Sequence, residues 1–163
     1  MSERGIMSRK LWMALVGAAA IGLGAAGLAS ATSSDISRPV TIHVIDKGQF
    51  DVYRDIPPSG PSEGDLFTFA DQIVSPRNRH HVIGRIDGQC VLMIPSQNRF
   101  ECHDTQSLNG RGTVVTEGVF ISESGHVNDF AVTGGTGEFR NARGHATFFA
   151  IRIGQDETLH LIP

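Results

Sequence analysis

From residue 39 onward apolar and polar residues alternate with period two, and no stretch carries a helical stripe of full length. Alternation of this kind predicts half-buried strands. The first covers Val40–Asp46, and Gln49–Tyr53 extends or restarts it. Asp55–Gly64 contains Pro57, Pro58, Gly60 and Pro61, which deny it regular structure and make it the longest break in the pattern. Further strands are expected over Leu66–Val74, His80–Ile86, Cys90–Ile94, Arg99–Ser107, Gly112–Ile121, Asp129–Thr133, Arg143–Ile153 and Thr158–Ile162. Turn signals separate them: Ser75-Pro76, Asp87-Gly88 (a tight hairpin), Pro95–Asn98, Asn109-Gly110, Ser122–Gly125, Gly134–Gly137 and the neighbourhood of Gly154. Roughly eight or nine short strands at regular spacing predict an all-β sandwich or barrel. A closed eight-stranded antiparallel β-barrel leaves no edge strand exposed. Its interior is just wide enough for one small ligand.

The N-terminal part follows a different pattern. Arg9 and Lys10 precede an apolar run, Leu11–Leu28, and Ala29-Ser30-Ala31 ends it. A basic start, an apolar middle and a small-x-small end are the layout of a secretory signal peptide, cleaved after Ala31. The competing reading is a membrane anchor, but the glycines in the run and the Ala-Ser-Ala end favour cleavage. The expected organisation is therefore a leader over 1–31, a linker over 32–38 and one barrel domain over 39–163, secreted to the extracellular side without stable membrane insertion.

The part after Ala31 carries 11 basic and 16 acidic residues. An acidic chain with scattered Arg and a single Lys, Lys47, lacks the clustered cations that phosphate binding needs, so no nucleic-acid partner is expected. The histidines, such as His43, His80, His81, His103 and His145, show no metal-ligand spacing, and two cysteines cannot build a structural zinc site unaided. No metal is expected from these residues. An oxidising destination makes a Cys90–Cys102 disulfide plausible. If the Pro95–Gln97 turn is centred on Ser96, Leu92 faces Phe100 and Cys90 faces Cys102. Cys90, Leu92, Phe100, Cys102 and Asp104 then share one face of the sheet.

The segment Phe130-Ala-Val-Thr-Gly-Gly-Thr-Gly-Glu-Phe-Arg-Asn-Ala-Arg-Gly144 resembles the glycine-rich signature of dirigent proteins and allene oxide cyclases. Gly64-Asp65-Leu66 with Phe69, Gly88-Gln89-Cys90-Val91-Leu92 and Arg99-Phe100-Glu101 resemble further cyclase segments, in matching order. The resemblance spans roughly Gly64 to Phe149. It implies a barrel with an apolar cavity that holds a reactive substrate for cyclisation or for directed coupling, with no metal or organic cofactor. The glycines have a local reading too: Gly134, Gly135 and Gly137 for a turn with positive φ, and Gly144 for a close approach at a bend.

The resemblance also nominates residues. Val44 and Asp46 occupy the positions where plant cyclases carry a Glu and an Asn, and the missing Glu counts against true allene oxide cyclase activity. Cys90 matches a family pocket cysteine, although a disulfide with Cys102 is the preferred reading. Asp104 and Glu117 are carboxylates at positions that would gain a raised pKa inside a barrel and serve as acid or base. The expected site thus comprises catalytic Asp46, Asp104 and Glu117, with Val44, Leu92, Phe100 and Cys90 lining the ligand pocket. The expected function is cofactor-free cyclisation or isomerisation of a small hydrophobic, polyketide- or lipid-like molecule. The alternatives are a non-catalytic dirigent-like or ligand-binding barrel and an extracellular structural module. A homodimer or homotrimer is expected from the resemblance.

Overall fold

The computed structural model describes residues 38–48 and 51–163. The leader expected over 1–31, and all of the linker but Arg38, lie outside the described residues. Among those described, alternation becomes nine strands: β1 Val40–Lys47, β2 Asp51–Arg54, β3 Leu66–Ser75, β4 Asn78–Ile94, β5 Arg99–Leu108, β6 Gly112–Ile121, β7 Val127–Gly135, β8 Arg143–Ile151 and β9 Gly154–Ile162. Every pairing is antiparallel. The order runs β1-β9-β8-β7-β6-β5-β4-β3, and β1 pairs back onto β3, which closes a barrel of eight strands. The short β2 continues the seam. β1 occupies Gln72–Val74 of β3, and β2 takes over along Leu66–Phe69.

The hairpin register follows the sequence pattern. Cys90 faces Cys102 and Leu92 faces Phe100, across a 3₁₀ turn at Pro95–Gln97. Cys90 and Cys102 form a disulfide. Two turn expectations are corrected. Asp87-Gly88 does not turn the chain; it lies inside β4, where Asp87 pairs with Thr105 and Gly88 with Asp104. Gly88 is there for space: a Cβ would come within 2.4 Å of the Phe69 ring and 2.8 Å of the Asp104 Cβ. Of the glycines in the glycine-rich segment only Gly137 and Gly144 take positive φ, 63° and 129°, and Asn141 between them does so at 63°. Gly135 instead lets backbones meet, because a Cβ would lie 2.5 Å from the carbonyl oxygens of Thr113 and Phe139.

Alternation places one residue in two inside the barrel, and these inward positions sort into three tiers. At one end aliphatic side chains and the fully buried Phe139 fill the interior, with Val44, Val114, Val132, Leu159 and Leu161 among them. At the equator sit polar side chains: Asp46, Asp71, Asp104, Gln106, Thr116 and Glu157, all buried. Beyond them the interior is hollow.

Candidate functional site

The hollow end encloses about 340 Å³. That is near the lower edge of small-molecule sites, which span roughly 300–1,000 Å³. Six phenylalanines line it, in three neighbouring pairs: Phe67–Phe69, Phe100–Phe120 and Phe130–Phe148, with ring centroids 5.9, 6.5 and 4.7 Å apart. Two inward glycines make room for these rings. Gly88 admits Phe69, and a Cβ on Gly118 would lie 2.7 Å from Phe130. The disulfide forms part of the wall. Asp46, Asp71 and Asp104 line the cavity along with the exposed Asp51, and no Lys, Arg or His does so among the described residues.

The carboxyls are poorly satisfied. Thr116 Oγ1 donates to Asp104 Oδ2 at 2.7 Å, but Asp104 Oδ1 and Asp46 Oδ1 are buried without a hydrogen-bond partner. Behind the wall, the Gln106 side-chain amide donates to Glu157, whose other oxygen is likewise unpartnered. Burial, reinforced by the charges of Asp71, Asp104 and Asp51, pushes the Asp46 carboxyl up to about 8. Burial raises Asp104 to about 6, against the opposing pull of the Thr116 and Gln106 hydrogen bonds. Burial drives Glu157 well above the ordinary carboxylate range, with the charge of Asp104 adding to it. At neutral pH Asp46 therefore holds its proton while Asp104 is mostly ionised. An acid on β1 and a base on β5 line the same cavity, their proton affinities set apart by their environments.

The structure brings together five of the sequence-nominated residues: Asp46, Cys90, Phe100, Cys102 and Asp104 all line the cavity. Cys90 does so as a disulfide, so it offers no thiol. Three nominations are corrected. Glu117 is exposed on the outer face, because Thr116, Gly118 and Phe120 are the inward positions of β6 and parity sends 117 outward. Val44 is fully buried in the aliphatic tier, one inward step past Asp46. Leu92 is buried beyond the cavity, where its amide donates to the Asp65 carbonyl at 2.8 Å. Sequence reasoning missed Asp71, Gln106 and Glu157. Their inward parity was legible once one residue of each strand had been placed.

Fold and site define a closed antiparallel barrel with a phenylalanine-lined cavity at one end. The chain belongs to the allene oxide cyclase barrel like domain family, whose pattern matches residues 41–161. Solved structures of similar fold include a "Pyocyanin demethylase" (22% identity, 76% of this chain and 98% of that one, TM-score 0.64). A pterocarpan synthase dirigent protein is another (19% identity, 77% and 93%, TM-score 0.60). A third is AbnU, an exo-specific intermolecular Diels-Alderase (13% identity, 76% and 97%, TM-score 0.61). No curated protein sequence gives a significant match.

Proposed function

We propose that the barrel is a cofactor-free cyclase or isomerase, acting on a small hydrophobic, polyketide- or lipid-like molecule outside the cytoplasm. One observation carries this reading: buried carboxyls, each with an unpartnered oxygen, line a cavity walled by six phenylalanines. A carrier of neutral molecules gains nothing from an unsatisfied buried acid, which costs free energy to maintain. A catalyst does gain, because the group is held ready for a proton that only substrate supplies or accepts. Asp46 is the proton donor to a substrate oxygen or double bond, and Asp104 accepts a proton from the adjoining carbon. Net protonation of the pair is unchanged once the proton passes back between them through solvent. The phenylalanine walls restrict the substrate to the conformer that closes, which is the larger share of the rate for an intramolecular reaction.

Turnover tests the reading. A reactive polyene or polyketide-derived precursor is incubated with the wild type and with Asp46→Asn. The expected result is one stereoisomer of a rearranged or cyclised product, formed on the order of 10²-fold slower or worse by the variant. Product of one hand formed equally fast by both proteins would instead favour a dirigent-like role, in which shape alone directs the reaction.

A further inference from the structure

We infer that the cavity selects a small hydrophobic molecule bearing positive charge and rejects carboxylates. The inference rests on the reading above only in taking the cavity as the ligand site, and it names the class of ligand that the site prefers.

The cavity has an unusual charge balance. Asp46, Asp71 and Asp104 are inside it and Asp51 is in its wall. Glu157 lies directly behind, through Gln106. Protein interiors ordinarily answer a buried acid with Arg, Lys, His or a full set of donors. Here no Lys, Arg or His lines the cavity among the described residues. The nearby basic groups face away. His103 is exposed on the outer side of β5, and Arg85 is engaged outside by Asp87. Asp46 and Asp104 line the cavity at 4% and 2% exposure, and each keeps one buried oxygen without a hydrogen-bond partner. Among the described residues the lining thus supplies no cation of its own to Asp46 and Asp104.

The rest of the lining favours the same occupant. Phenyl faces attract cations, and the attraction grows when water is excluded. An anionic guest such as a fatty acid would meet like charge in a low-dielectric pocket. A neutral guest would gain apolar contact alone.

Three fluorescent probes of nearly equal size isolate the charge: N-methylacridinium, 9-methylanthracene and anthracene-9-carboxylate. They are titrated into the purified protein at pH 7.5. N-methylacridinium is expected to bind about tenfold or more tighter than the neutral probe, with the carboxylate weakest. Asp104→Asn is expected to weaken the cation by about tenfold and leave 9-methylanthracene within about twofold. Equal binding of all three, or tighter binding of the carboxylate, would overturn the charge preference while leaving the cavity as a ligand site. Binding of none of them would overturn both. The wild-type ranking decides the matter even if a variant misfolds.

Discussion

Asp65 and Asp46 are equally hidden from solvent, at 0% and 4% exposure, yet their carboxyls are driven in opposite directions. Asp65 closes the Pro-rich loop ahead of β3. It accepts from the Ile56 amide at 2.9 Å, the Ser62 amide at 2.8 Å, the Ser62 hydroxyl at 3.1 Å and the Tyr53 hydroxyl. Those donors, the Ile56 amide foremost, hold its carboxyl down at about 2. Asp46 has a buried oxygen that accepts from nothing, and burial carries its carboxyl up to about 8. Burial alone therefore does not mark a functional acid. The number of donors aimed at each separates the two: a fully answered carboxylate stays ionised, and an unanswered one keeps its proton.

The contrast breaks most visibly at Asp65. Replacing it with Ala leaves the Ile56 and Ser62 amides and the Tyr53 hydroxyl without their acceptor, and the loop that closes over Leu92 loses its anchor. The expected outcome is a fall in Tm of about 10 °C, measured by calorimetry. The wild-type anchor has the pH dependence of a depressed acid. It is complete above the model-peptide value of 3.8 and is lost as pH falls toward about 2.

At Asp46 the sign reverses. Its folded carboxyl holds a proton up to about 8 while the unfolded one releases it near 3.8. Between those values the folded state binds more protons, so stability falls as pH rises and the loss is complete above about 8. The amount at stake is on the order of 5 kcal/mol. Asp46→Asn removes this dependence. Its Tm should match the wild type below about pH 4 and exceed it by roughly 10 °C at pH 9. A variant less stable than wild type at pH 9 would mean that Asp46 is answered after all, as Asp65 is.

Thr116→Val turns Asp104 into a harsher case of Asp46. The Thr116 hydroxyl at 2.7 Å is one of the groups that limit the rise of Asp104. Its loss should move Asp104 above about 6, by roughly one pH unit, in a carboxyl NMR titration. An unmoved titration would assign the restraint to Gln106.

Much of this was legible in the residues, and the failures share one cause. Strand positions, the facing cysteines and the long loop follow from period two and from Pro and Gly. The Asp87-Gly88 error arose because a two-residue turn signal and an inward glycine that clears space for Phe69 look identical in one dimension. Glu157 and Gln106 went unnoticed because a single buried polar residue carries no pattern of its own. It becomes visible only when the closed barrel brings β5 against β9 across the interior. The hollow itself depends on how three pairs of rings fail to fill one end, which no linear pattern encodes.

The smallest expected effect is also the sharpest check on the geometry. Glu117 and Asp104 lie on neighbouring strands within one register step, since Asp104 pairs with Thr116 and His103 with Glu117. Parity alone puts one inside and the other in solvent. Glu117→Gln should therefore change stability by less than about 0.5 kcal/mol, and it should leave the Asp104 titration and probe binding where they were. A shift in either would require β6 to be slipped by one residue, which would turn Thr116 and Phe120 outward and empty the cavity wall of a ring. The outer acid thus tests the inner one: its silence is what the barrel's register demands.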